Sequence, residues 1–108
     1  MNYDNLSVNP PAYVAMPLKL AVAVRALRHS FNMSQTELAD LAGCSRPTIN
    51  RIESIDKASP RTDTIERLMQ VFRDRGVEIQ ISDGEVMIRF TGEAIQTATQ
   101  QTSGADEN

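Results

Sequence analysis

Between Arg46 and Arg51 the chain brings together two guanidinium groups, a hydroxyl and a carboxamide, interrupted by Pro47. Side chains of these types hydrogen-bond the edges of nucleobases and the oxygens of phosphates. None of them stands with a base that would make a nucleophile of it. The residues better suited to catalysis, His29 and Cys44, fall in separate elements with no partner base, acid or metal ligand nearby in the chain. There is no phosphate-cradling glycine loop either. The chemistry on offer is therefore binding, and neither an enzyme nor a cofactor or metal is expected. His29 reads as a surface side chain and Cys44 as a small buried hydrophobe.

The elements that must position Arg46 and Arg51 are written in local signals. Ser34 and Glu37 are spaced as a capping box, so a helix is expected over about Gln35 to Ala42. Leu38, Ala39 and Ala42 give it one apolar face. Gly43 can adopt the left-handed conformation that ends it. Ser45 is a second N-cap and Pro47 falls in the following first turn, so a further helix should run from about Arg46 to Ile55. Ile49 and Ile52 form its buried stripe, and Arg46, Thr48, Asn50 and Arg51 lie on its other face.

Two short helices joined at a glycine, the second with a polar outer face, make a helix-turn-helix. The residues resemble the lambda-repressor-like family of Xre or Cro-type DNA-binding domains. The resemblance is carried by Arg28, Ser34-Gln35, Leu38-Ala39, Ala42-Gly43-Cys44-Ser45 and Ile49-Asn50-Arg51-Ile52-Glu53, and extends from about Leu18 to Phe72. It implies a transcriptional regulator that binds double-stranded DNA through its third helix. The family's base-reading positions map onto Arg46, Pro47, Asn50 and Arg51, and Thr48 could meet a thymine methyl or a phosphate. Gln35 and Ser45 would donate to phosphates. Lys57 and Arg61 fall in a region that also touches the DNA backbone in relatives. Glu53 would pair with Arg28, either to aim that arginine at a phosphate or as a structural ion pair alone.

The 108-residue chain carries a net charge of −3, which by itself argues against a nucleic-acid partner. Its distribution argues the other way. From Leu18 to Arg61, seven cations face four carboxylates, a net +3; from Gly76 to Asn108, one arginine faces six carboxylates, a net −5. The acidic end should point away from DNA. There is no membrane-length apolar run, and residues Met1 to Met16 lack the features of a signal peptide, so a cytoplasmic protein is expected.

The expected fold is mainly α: a four- to five-helix domain over residues 18–75, then a β-hairpin over residues 76–92. Residues 1–17 read as a flexible arm without Arg or Lys, better suited to disorder or to packing on a partner subunit than to a minor groove. Helix 1, with Pro17 at its start, buries Leu20, Val24 and Leu27, and Phe31 and Met33 cap the core. Asp63 and Glu66 are spaced as another capping box, and Ile65, Leu68, Met69 and Phe72 form the stripe of helix 4. The period then changes. Val77, Ile79 and Ile81 alternate with polar residues, as do Val86, Ile88 and Phe90, and Asp83-Gly84 between them signals a type I′ turn. These six apolar residues must pack on the helices or on a second subunit, and dimerisation is the expectation. Leu41 is either an exposed leucine or a subunit contact. Residues 93–108 form a polar, acidic, partly disordered tail, with a helical turn anchored by Ile95. A rival reading of the same features is an antitoxin that binds a toxin partner and its own operator.

Overall fold

The computed structural model describes residues 11–55 and 60–100. Within them lie α1 (Met16–Ser30), α2 (Gln35–Ala42), α3 (Arg46–Glu53), α4 (Thr62–Arg73), β1 (Val77–Ile81), β2 (Val86–Phe90) and α5 (Gly92–Gln100). The first ten residues of the expected arm, Lys57, and the last eight residues of the expected tail lie outside the described residues. No described helix is long and apolar enough to cross a membrane.

One core joins these elements. Leu20, Val24 and Leu27 of α1 meet Leu38, Ala39 and Ala42 of α2, Ile49 and Ile52 of α3, and Leu68, Met69 and Phe72 of α4. Phe31 and Met33, between α1 and α2, are buried as their apolarity requires, and the Phe31 ring lies 5.8 Å from that of Phe72. α1 ends without a glycine. Asn32 takes the left-handed conformation instead, and the Met33 amide bonds back to the Arg28 carbonyl. Asparagine tolerates this backbone better than most residues.

Several local expectations are corrected. α3 stops at Glu53 rather than Ile55, and Ile55 has φ +58°, where a β-branched side chain is strained. Asp63 does not cap α4. The helix starts at Thr62, so Asp63 lies inside its first turn, accepting from the Thr64 amide and pairing with Arg61 and Arg67. α5 does form, but its anchor is the fully buried Ala94, while Ile95 is 57% exposed. Ala94 faces the core and Ala98, one turn on, packs against it, while Ile95 lies on the outer side of the helix.

β1 and β2 pair antiparallel in the register Val77↔Phe90, Ile79↔Ile88 and Ile81↔Val86. β1 packs on α4, and β2 on α1 and α5. Val77 is part of the core, Ile79, Ile81 and Ile88 pack against it, and the Phe90 ring lies 6.3 Å from Phe31. The hairpin thus finds its apolar support within its own subunit. Its outer face carries Glu78 and Arg89, joined by a two-pronged ion pair. Neither Asp83 nor Gly84 has a positive φ, so the turn is not type I′. The reason is tertiary. Lys19, 7% exposed, donates to the carbonyls of Ser82 (2.6 Å) and Asp83 (3.1 Å), and the Val14 amide also donates to Asp83 (2.7 Å). These bonds orient the turn more strongly than its own dipeptide preference. They also remove Lys19 from the cations free to meet DNA. Its ammonium lies 5.6 Å from the Tyr13 ring centre.

Gly76, between α4 and β1, has φ +87°, and an added Cβ would lie 2.8 Å from Thr91 Oγ1 and 2.9 Å from the Ala94 amide nitrogen. Thr91 itself donates to the Gly76 carbonyl and accepts from the Ala94 amide, so it ties the strand entrance to the start of α5. Gly76→Ala is expected to lower stability by about 1–3 kcal/mol, from the backbone conformation and the crowding together. Urea denaturation checks this, and an unchanged midpoint would mean the turn can relax.

Candidate nucleic-acid interface

The interface is built on two caps. Ser34 Oγ accepts from the Glu37 amide (3.0 Å), and the Ser34 amide donates to Glu37 Oε1 (3.1 Å). The first-turn amides of Gln35 and Thr36 remain without a partner among the described residues, so the start of α2 can still seat an anion. At the start of α3, Ser45 Oγ accepts from the Thr48 amide (3.3 Å) and lies 2.9 Å from Thr48 Oγ1. Pro47 has no N–H, so that helix start offers a phosphate chiefly the Arg46 amide. Thr48 is half-buried with its hydroxyl engaged in the cap, which leaves its methyl as the group to present outward.

Between the caps, Gly43 has φ +68° and closes α2 in the left-handed conformation. The turn has a support that no local pattern announces. Arg67 of α4 donates from Nε to the Ala42 carbonyl at 2.9 Å, placing a cation on the unsatisfied end of α2. Cys44 is half-buried against the core. Burial raises its thiol above the ordinary value, and the nearby Arg67 charge does not offset this.

Behind α3 lies a polar cluster. Arg28 Nε and Nη2 grip Glu53 Oε2 and Oε1 at 2.7 and 2.9 Å, and Arg28 Nη1 donates to the Met33 carbonyl at 2.9 Å. Gln35 Nε2 donates to Glu53 Oε1 at 3.3 Å, and Arg28 Nη2 lies 3.2 Å from His29 Nε2. The Arg28 and Glu53 side chains are only 12% and 7% exposed. Burial tends to raise the Glu53 pKa, but the hydrogen bonds from Arg28 and Gln35 and the Arg28 charge outweigh it and hold the carboxyl below its usual range. The cluster joins the end of α1, the start of α2 and the end of α3. Nearly all of the Arg28 N–H groups are thus engaged within the protein.

The outward face of α3 is the free one. Ile49, Ile52 and Glu53 are buried, whereas Arg46, Pro47, Asn50 and Arg51 are exposed. At about 100° per residue, Pro47 and Arg51 lie opposite the buried stripe and Asn50 beside them, while Arg46, at the first helical position, lies at the edge nearer Glu53 and is nonetheless exposed. Neither Arg46 nor Arg51 has a hydrogen bond or ion pair among the described residues. Arg61 differs: its Nε lies 3.5 Å from Asp63, a carboxylate shared with Arg67, so part of its charge is already balanced. Burial would raise the Asp63 pKa, but Arg61, Arg67 and the Thr64 amide bring it below its ordinary value. Leu41 is half-exposed on α2.

Among families of known proteins, the one described as helix-turn-helix matches residues 24–74 of this chain. The matched segment starts midway along α1 and ends just after α4. A search of the curated proteins finds no match.

Proposed function

The chain belongs, through residues 24–74, to the lambda-repressor-like (Xre-type) helix-turn-helix family of DNA-binding transcription regulators, and from that premise we propose that it acts as a cytoplasmic repressor, binding a palindromic operator as a homodimer with α3 in the major groove. The observation that carries this reading is the outer face of α3. It presents two unpaired arginines and an asparagine on a helix whose inner face is locked by Ile49, Ile52 and Glu53. A rigid mount and free donors are what direct readout requires.

The roles divide by chemistry. Arg46 and Arg51 can each grip the O6 and N7 acceptors of a guanine. Pro47 offers only apolar contact, suited to a thymine methyl, and Asn50 suits an adenine edge. The amides of Gln35 and Thr36, the Arg46 amide and the Ser45 hydroxyl surround the groove entrance, where they can hold phosphates on either side of it. Lys57 and Arg61 add a salt-dependent attraction that carries no sequence information. A dimer would set its two α3 helices about 34 Å apart, one turn of duplex.

Selection of bound duplexes from a random pool tests the reading. A motif with two inverted half-sites centred about ten base pairs apart is the expected result. Arg46→Ala and Arg51→Ala should each reduce preference for that motif over random duplex by about 1–3 kcal/mol while the fold survives. Lys57→Ala and Arg61→Ala should weaken binding to all duplexes alike and flatten the salt slope by about one. Equal losses on specific and random DNA from all four variants would contradict the assignment.

A further inference from the structure

The six hairpin residues expected to join two subunits do not all remain available, because Val77 is core and Ile79 and Ile81 pack against it. The exposed apolar surface is centred on α1 and shared with the β2 members of that set. Leu18 and Val22, one turn apart on the outer face of α1, are 44% and 59% exposed. Beside them lie half-buried Val86 and Ile88 of β2, and the four residues line a groove of about 280 Å³ between helix and strand. Farther along the same seam, Phe90 and Ile95 flank a second shallow depression that reaches Ser30 at the end of α1.

We propose that this α1–β2 seam, centred on Leu18 and Val22, is the surface on which a second copy of this chain docks across a two-fold axis. The inference rests on the reading of the protein as a dimer on DNA and assigns that dimer a face.

Charge and position select the occupant. The one charged side chain lining the groove is Lys19, which is buried and directs its ammonium to the Ser82 and Asp83 carbonyls. A groove whose lining carries no exposed charge can meet its own image there without setting like charges opposite each other, as an isologous contact requires, and the exposed Asp83 and Glu85 stand at its end, beside Gly84. The nearest exposed cation on the same side of α1 is Arg25. If two α1 helices cross antiparallel about the midpoint of Leu18 and Val22, the two Arg25 positions stand roughly 15 Å apart along the axis, beyond the ~8 Å over which charge is felt at physiological salt. The seam also leaves the reading surface clear. Leu18 lies about 15 Å along α1 from Arg28, the residue that holds Glu53 of α3. DNA and a second copy can therefore be bound at once.

Sedimentation velocity on the full chain at micromolar concentration, with and without the selected operator, tests the assignment. Wild type is expected to sediment as a dimer. Val22→Glu should sediment as a monomer with an unchanged circular dichroism spectrum, since the side chain it replaces is mostly solvent-exposed, and its melting temperature should fall only by the stabilisation that dimerisation supplied and lose its dependence on concentration. Leu41→Glu, at a similarly exposed apolar position on α2, and Met87→Glu, on the outer face of the hairpin, should both remain dimeric. A Val22→Glu dimer, dissociation caused by Leu41→Glu or Met87→Glu instead, or a wild type monomeric under both conditions would each overturn the proposal. DNA titration separates this from the functional reading. Val22→Glu should bind a single half-site like wild type while losing about a hundredfold or more on the full operator. If Val22→Glu dissociates the dimer but neither protein prefers any duplex, the docking face stands and the DNA reading fails.

Discussion

Glu53→Ala is expected to lower the stability of the fold by about 3–5 kcal/mol, the usual cost of leaving one member of a buried ion pair alone. Arg28 is 12% exposed and gives two of its hydrogen bonds to this carboxylate, and Gln35 gives a third. Without Glu53 the guanidinium would have to find water or move, and the ends of α1 and α3 would lose their shared anchor. Glu53→Gln keeps the shape and loses the charge, so it should cost less than the alanine variant. The carboxyl is held below its ordinary value of about 4.5. A group with a depressed folded-state pKa stabilises the fold fully above its unfolded value, and that contribution disappears as pH falls through the folded value. Urea denaturation of wild type should therefore show stability declining below about pH 4.5, with a shallower decline in Glu53→Gln. Parallel pH profiles would rule out the linkage. Glu78 and Asp63 are held low as well, but both are solvent-exposed, where screening leaves ion pairs worth little.

Ile49→Ala should cost about 2–5 kcal/mol, because it opens a cavity beneath the reading helix. Ile49 is fully buried, on the same helix as exposed Arg51. The two positions make a sharp contrast. Arg51→Ala should change stability by no more than about 0.5 kcal/mol and reduce discrimination among sequences. Ile49→Ala should shift the urea midpoint and reduce binding to every duplex in proportion to the fraction unfolded. Small domains are stable by only about 5–15 kcal/mol, so combining Ile49→Ala with Glu53→Ala is expected to leave little folded protein. Both residues buttress α3, so their effects need not add. A midpoint unmoved by Ile49→Ala would mean that α3 is not held by its apolar stripe.

The helix-turn-helix was legible in the sequence because its signals are local. Ser34 with Glu37, Gly43, and Ser45 with Pro47 act within a turn of the residues they control, and the Leu38, Ala42, Ile49 and Ile52 spacing reports one buried side. The outward set Pro47, Asn50 and Arg51 follows from that spacing alone, and Arg46 joins it from the first position of the helix. Features settled at a distance were not legible. Asp83-Gly84 favours a type I′ turn in isolation, yet Lys19, more than sixty residues earlier, holds its carbonyls in another arrangement. Ile95 looked like the natural anchor of α5 by hydrophobicity, but the helix docks through Ala94 and leaves Ile95 on its outer side. Asp63 has the composition of a cap and lies one step inside the helix, occupied by two arginines. At the turn and at α5 a short-range preference of modest size yielded to a tertiary contact, whereas at Asp63 one local arrangement displaced another.

The bond from Arg67 to the Ala42 carbonyl makes the corner between α2 and α3 a property of three helices rather than two. Its angle decides how the third helix sits in a groove, and that angle is braced from outside the motif. Two eight-residue helices hold little structure by themselves in water. A peptide cut to the bihelical unit would carry every letter needed to recognise an operator, yet have no fixed pitch at which to present them.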